Sequence, residues 1–276
     1  MELGIFSRTY EYSDPGESFG RMRAHGFSHT QLNLSNGGMP TLPERLDEGK
    51  LLELKRVMDG YGIRAHALSG TFNMIDPDSE AKERGIRQFK LQCEIAAMLQ
   101  IPMVSLCTGS KNRKDKWAWH DDNLKESSWT ELMESTERIL RIAEDSGVCL
   151  GVETEVANVI CTAQRARRYL DEFKSPRLKI IMDGANLFTA ENASRQKQVL
   201  DEAFSLLGKD IILAHAKDMR PAPDGEMRYM APGLGALDFE YYLSLLRGIG
   251  YEGALVMHGL SESEIPQSRN YLEALI

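Results

Sequence analysis

Ile211-Ile212-Leu213-Ala214-His215-Ala216-Lys217-Asp218 is an apolar run that breaks off into an imidazole, an amine and a carboxylate. Successive aliphatic residues are what a strand buried on both faces requires. Side chains two apart on a strand share a face, so His215 and Lys217 project together if the strand continues that far. Two stretches upstream have the same design. Residues 148–155, VCLGVETE, run apolar and then present Glu153 and Glu155; residues 178–186, LKIIMDGAN, run apolar and end in Asp183. Three successive strands are therefore expected to deliver, at their C-terminal ends, residue types that ligate metals or move protons.

Outward from this stretch the chain alternates. Further strands are expected at 3–6, 29–34, 63–68, 103–107 and 254–257. Helical patterns fill the gaps, at 16–25 before Gly26 and at 41–59, opened by the capping box Thr41-x-x-Glu44 with Pro43 inside it. Ser79 is expected to cap a long helix whose inner face is Ile86, Phe89, Cys93, Ala96 and Ala97. Ser128-x-x-Glu131 opens the next, which Gly147 ends, and another follows at 162–173. A helix carrying Leu200, Phe204 and Leu207 is expected to stop at Gly208 as a C′ glycine, Asp238 to cap the next, and 261–275 to form the last. Two connections are long, 107–123 and 219–236.

Eight strands alternating with eight helices, with no linker or composition shift, predict a single domain over 1–276 and an α/β fold of the (β/α)8 TIM barrel type. Closure removes the sheet edges. An open doubly wound sheet is the competing architecture, but the glycine-rich dinucleotide fingerprint is absent after the first strand.

Composition sets bounds on function. A chain of 276 residues with 42% hydrophobic and 27% charged residues is ordinary for a soluble globular protein, and this sets aside disordered and membrane-spanning classes. The start, MELGIFSRTY, lacks a basic segment followed by an apolar one, so a cytoplasmic location is the default expectation. A net charge of −8 argues against nucleic acid as a partner, because that affinity rests on neutralising phosphates. Cys93, Cys107, Cys149 and Cys161 show no CxxC spacing and read as small buried hydrophobes.

In a barrel of this kind the active site lies at the C-terminal mouth, where Glu153, Asp183, His215 and His258 all fall. Two carboxylates and two imidazoles suit a divalent metal ion of the manganese, cobalt, zinc or magnesium group. At this point the chain resembles the sugar phosphate isomerase/epimerase family with the xylose isomerase-like barrel, which includes tagatose-type epimerases and inosose-type enzymes. The motifs that carry the resemblance are Ser69-Gly70-Thr71-Phe72-Asn73-Met74, Thr108-Gly109, Glu153-Thr154-Glu155 with Asn158, Asp183-Gly184-Ala185-Asn186, His215-Ala216-Lys217-Asp218 and Gly233-Leu234-Gly235 before Asp238-Phe239. They run the length of the chain in the family's order.

The resemblance implies metal ligation by Glu153, Asp183 and His215, proton abstraction beside a metal-polarised carbonyl, and a small-molecule sugar or sugar phosphate as substrate. It also marks a departure. The family's last strand usually ends in a glutamate that is both ligand and proton-transfer partner, whereas this chain reads Leu255-Val256-Met257-His258-Gly259. Imidazole can ligate a metal and exchange protons near neutrality, so His258 either keeps those roles in altered form or has lost them. The working expectation makes Glu153 the main acid/base and His258 a ligand or second acid/base.

Candidate substrate-binding residues are Glu155, Asn186, Lys217, Asp218, Arg220, Asn73 and His66. Each has an ordinary alternative. Glu155 would otherwise hold loop backbone, and His66 would be a satisfied core histidine. Lys217 and Asp218 would pair and anchor the following loop; Arg220 and Arg228 would be solvated rather than holding a phosphate or carboxylate. A Schiff-base role for Lys217 needs an amine of depressed pKa. Trp117, Trp119 and His120 are candidates for a lid over the sugar, or for a packed loop or subunit contact, so self-association stays open. Competing functions are a dehydratase or lyase of the same barrel, and a sugar-binding or sensing barrel without turnover. An apurinic-site endonuclease would need a larger histidine-rich zinc cluster than six scattered histidines allow.

Overall fold

The computed structural model describes residues 1–276. In chain order the strands and α-helices are β1 (Glu2–Phe6), α1 (Pro15–Ala24), β2 (His29–Leu32), α2 (Glu48–Gly60), β3 (Arg64–Ser69), α3 (Ser79–Met98), β4 (Met103–Leu106) and α4 (Glu126–Ser146). There follow β5 (Cys149–Glu153), α5 (Ala163–Phe173), β6 (Leu178–Asp183), α6 (Gln196–Leu207), β7 (Ile211–Ala216), β8 (Asp218–Pro221), β9 (Met227–Met230), α7 (Phe239–Gly248), β10 (Ala254–Met257) and α8 (Ile265–Glu273). β1 to β7 and β10 close into a parallel barrel in the order β1-β10-β7-β6-β5-β4-β3-β2, as the alternation predicts. β8 and β9 form a separate antiparallel ribbon.

The period of two along each strand sets what faces the barrel axis. Ala67, Met103, Ile181, Leu213, Ala254 and Val256 make a small apolar cluster there. Two residues beyond Ile181, Leu213 and Val256 come Asp183, His215 and His258, so the same face that packs the interior carries polar groups at its C-terminal end. Gly151 supplies β5's turn in this layer. A Cβ there would lie 2.5 Å from Met103 Sδ and 2.8 Å from Ile181 Cδ1, so any larger residue would push these side chains aside, and Glu153, two on, follows to the same face. Outside the barrel, a second and larger core fills the space between strands and helices.

Several sequence expectations about element ends are corrected. α2 starts at Glu48 with Asp47 accepting from Lys50 N, not at Thr41. Thr41 is used instead to tie its loop to the end of β2, its hydroxyl donating to Asn33 Oδ1. Asp78 rather than Ser79 caps α3, and α4 begins at Glu126, which leaves Ser128 buried inside the helix. Gly147 is a left-handed C-cap at φ 73°, but Gly208 is not, at φ −51°; it continues into a short 3-10 turn. The region expected to be a loop over 219–236 contains the β8–β9 hairpin, turning at Asp224-Gly225 with Gly225 at φ 84°.

His66 is corrected as well. It sits near the start of β3, at the barrel end opposite the mouth, where its Nε2 meets His29 Nδ1 at 2.7 Å while His29 Nε2 meets Glu2 Oε2 at 2.9 Å. Burial, then the nearby His29 and Arg64, pull the His66 pKa from 6.5 down to about 4. A histidine that resists protonation in the folded chain and accepts it in the unfolded chain weakens folding as acid is added. The penalty is thus absent above pH 6.5 and grows progressively as pH falls toward 4. Allowing for the solvent that reaches the pair, wild type is expected to lose about 1–2 kcal/mol more than His66→Gln between pH 7 and pH 4.5. Denaturant midpoints at the two pH values measure this; parallel losses would remove His66 as the cause.

Candidate active site at the barrel mouth

β5, β6 and β7 are neighbours in the barrel, and their register sets Asp183 beside His215. One ligand atom each from Glu153, Asp183 and His215 lies within 4.8 Å of the others. His215 Nδ1 is 3.6 Å from Asp183 Oδ2 and 3.7 Å from Glu153 Oε1. The two oxygens of Asp183 are treated differently. Oδ1 accepts from the backbone N–H groups of Ala185 and Asn186, which fixes the carboxylate, whereas Oδ2 is buried with no hydrogen-bond partner. His215 is divided in the same way: Nε2 is 2.9 Å from Gln31 Oε1, which accepts its N–H, and Nδ1 is buried without a partner. Behind these strands the Tyr242 hydroxyl bonds the carbonyls of Met182 and His215, tying α7 to the ends of β6 and β7.

The surrounding polar groups form a short chain. Asn186 donates from Nδ2 to Glu153 Oε1 at 2.5 Å and accepts at Oδ1 from Lys217 Nζ at 2.5 Å. Lys217 Nζ also lies 3.4 Å from Asp183 Oδ2 and 4.5 Å from the centre of the Tyr229 ring. Burial pulls the Lys217 pKa down, but Asp183, Glu153 and Glu155 together more than offset it, and the amine is held above its ordinary value. Lys217 is therefore an ammonium and not a Schiff-base nucleophile. For Asp183 burial is outweighed by Lys217 and His215, and the carboxyl stays well below the usual range. Burial disfavours a proton on His215, yet Glu153 and Asp183 raise its pKa to about 9. The field that would hold that proton is one that also attracts a metal cation, and the two compete for Nδ1.

His258 lies beside this group but outside it. Its ring stacks on His215 at 5.3 Å and on Phe6 at 5.1 Å, each with an interplanar angle of 12°. Burial, then Lys217 and His215, lower its pKa to about 3, so it is a neutral imidazole. The structure thus brings together three of the four expected ligands and leaves His258 as the stacked neighbour of one of them. Glu155 does face the site: burial raises its carboxyl to about 7 despite Lys217 nearby.

Three other expected substrate contacts are used elsewhere. Asp218 is buried, and its oxygens accept from the N–H groups of Met219, Gly233, Gly235 and Leu237, so it holds the chain after β9 in place. A Cβ at Gly235 would fall 2.2 Å from Asp218 Oδ1, which explains the glycine in that motif. Asn73 is likewise buried, bonding Ile75 and Ser110 backbone, and braces the loops after β3 and β4. Arg220 is exposed on the ribbon opposite Arg228, which pairs with Asp224. Gln31 is a site residue the sequence did not suggest, since HTQL has no feature marking its glutamine as the partner of a histidine 184 residues away.

The chain matches the profile of the family described as xylose isomerase-like TIM barrel over residues 19–275. It is similar to an inosose isomerase of Bacillus licheniformis, with 26% identity over 250 residues that cover 88% of this chain and 83% of that protein. Among solved structures it is similar to a D-tagatose 3-epimerase-like protein, with a TM-score of 0.77 at 17% identity over 100% of this chain and 97% of that one. An IOLI protein with a binding zinc atom gives a TM-score of 0.70 at 19% identity, covering 99% and 97%. With its closed eight-stranded barrel and a match spanning nearly its whole length, the chain belongs to the xylose isomerase-like TIM barrel family.

Proposed function

We propose that this protein is a metal-dependent isomerase or epimerase acting on a sugar or a related polyol carbonyl compound. The observation that carries the reading is the pair of buried, unpartnered ligand atoms, Asp183 Oδ2 and His215 Nδ1, aimed at a point that Glu153 also reaches. Buried polar atoms are normally satisfied, so two orphans at one place indicate a missing partner. Two carboxylates and an imidazole suit manganese, cobalt, zinc or magnesium, and the second carboxylate favours an ion that tolerates oxygen ligands. The similar IOLI protein carries zinc, which supports the same kind of occupant here. When bound, such an ion supplies Lewis-acid polarisation of a carbonyl and eases loss of the proton on the adjacent carbon.

The chain's own groups do the rest. Glu153 is 22% exposed at its side chain, against 0% for Asp183 and 1% for His215, so it is the ligand with access to substrate. Its Oε1 is anchored by Asn186, and it takes the proton on one face of the sugar carbon. His258, a neutral imidazole held flat between Phe6 and His215, positions the His215 ring rather than carrying a proton. Lys217 orients a substrate oxygen with whatever donor capacity Asn186 and Asp183 leave it.

The test is solvent exchange. Protein saturated with manganese, cobalt or zinc is incubated in heavy water with a panel of ketoses and inososes, and deuterium at the carbon next to the carbonyl is followed by NMR. Wash-in dependent on the metal and accompanied by an isomer or epimer is expected. Binding of sugars with no wash-in under any metal would favour a sensing barrel instead.

A further inference from the structure

A cavity of about 740 Å³ opens beside the polar cluster, and two side chains on its wall border that cluster: Tyr229, whose ring centre is 4.5 Å from Lys217 Nζ, and Glu155. We propose that this cavity, walled by Trp117, Trp119, Phe188, Met227 and Tyr229, is a second subsite that receives a flat apolar group attached to the sugar. The substrate class is then an uncharged glycoside whose sugar ring carries a keto group, with an aromatic or similar aglycone, rather than a sugar phosphate; glycosides without the keto group serve as probes of binding alone. The location of the sugar itself rests on the function proposed above.

Three observations point to this occupant. The first is size, since the volume falls in the range of about 300–1,000 Å³ that encloses a drug-sized ligand, well beyond one sugar ring. The second is the wall. Trp117 and Trp119 are 48% and 41% exposed and line a cavity that is otherwise mostly apolar. Its Thr162 hydroxyl is already engaged at the start of α5. Glu155, Glu226, Thr162, Thr189 and Tyr229 are the only acidic or hydroxyl side chains on a wall of 15 residues, 10 of them hydrophobic, which suits an aromatic ring better than the many hydroxyls of a second sugar ring. The third is charge: the only ionisable carboxylates on the wall are Glu155 and Glu226, and it carries no lysine or arginine, so a phosphate would meet repulsion. The walls come from the loops after β4 and β5, the chain after β6 and the β8–β9 hairpin, all at the mouth of the barrel.

The experiment is calorimetric titration of the metal-saturated protein with methyl, phenyl and 4-nitrophenyl glycosides of glucose, galactose and xylose, with cellobiose and maltose as two-sugar controls. Phenyl glycosides are expected to bind about tenfold more tightly than the matching methyl glycosides, as burial of one ring would give. Trp119→Ala and Ala190→Arg are both changes at accessible positions of the wall. Each should cut that preference to within about twofold while methyl glycoside affinity and metal content stay the same. A phenyl preference below twofold across the panel, no binding of any glycoside, a stronger preference for the disaccharides, or a preference that survives both variants would overturn the proposal. So would dissociation of a dimer on Trp119→Ala in sedimentation, which would assign the aromatic wall to a second copy of the chain. The two readings separate cleanly. Deuterium wash-in with free sugars but no gain from a phenyl group removes only the subsite, and a phenyl preference without wash-in removes only the turnover.

Discussion

Asp183→Ala is expected to purify with no bound divalent metal where wild type carries close to one equivalent, and to lose activity by at least about 100-fold. The lower bound follows because changes to groups that merely support a ligand already cost about 10–100-fold in affinity or activity. Asp183 is the most buried of the three ligands, and its Oδ2 has no hydrogen bond, only the Lys217 ammonium 3.4 Å away and His215 Nδ1 at 3.6 Å. Removing it also leaves Lys217 without its nearest carboxylate, at a place with little water. Breaking a buried pair costs about 3–5 kcal/mol, and the lower end applies because His215 can shed its proton when the carboxylate is gone. Asp183→Asn keeps the acceptor for the Ala185 and Asn186 amides and should therefore recover most of the stability but not the metal. Metal analysis by mass spectrometry beside denaturant unfolding distinguishes the outcomes. A full equivalent of metal in either variant would mean the ion is held elsewhere.

Glu153→Gln is expected to slow deuterium wash-in by about 10²–10⁴-fold, the usual contribution of a positioned acid or base. Glutamine retains an oxygen for the Asn186 Nδ2 donor, so local structure should be preserved, but it cannot accept the proton. His258→Gln is expected to act through metal binding instead: removing the ring stacked on His215 should weaken manganese affinity by about tenfold, while wash-in at full metal occupancy stays within about tenfold of wild type. Ligand affinity measured under saturating manganese guards against a simple loss of metal. Wash-in by Glu153→Gln within about tenfold of wild type, at full metal occupancy, would take the base role away from Glu153.

Much of this was legible in the sequence because it depends on short-range rules. An apolar run followed by Asp183, or by His215, states both a buried strand and the residue at its end, and the period of two then assigns the face. Repeating that unit eight times makes a barrel the simplest closure, and the barrel requires that strand ends converge. The sequence was less able to say which polar residues at those ends are free. Asp218 and Asn73 looked like substrate contacts, yet both are consumed by backbone N–H groups that only loop folding brings near. His66, a candidate for the mouth with a satisfied core histidine as its alternative, lies near the start of its strand. The β8–β9 ribbon falls in a stretch that reads as a long loop, although Asp224-Gly225 is a hairpin signal.

By itself, then, the sequence determined the barrel and the identity of the three groups that meet at its mouth, since each follows from patterning within a few residues of a strand. The tertiary structure decided what those groups are free to do. It assigned one oxygen of Asp183 to the backbone and left the other bare, gave His215 Nε2 to Gln31, and set His258 in a stack rather than in the cluster. Such outcomes turn on contacts between distant segments, where a difference of one hydrogen bond fixes which atom remains available.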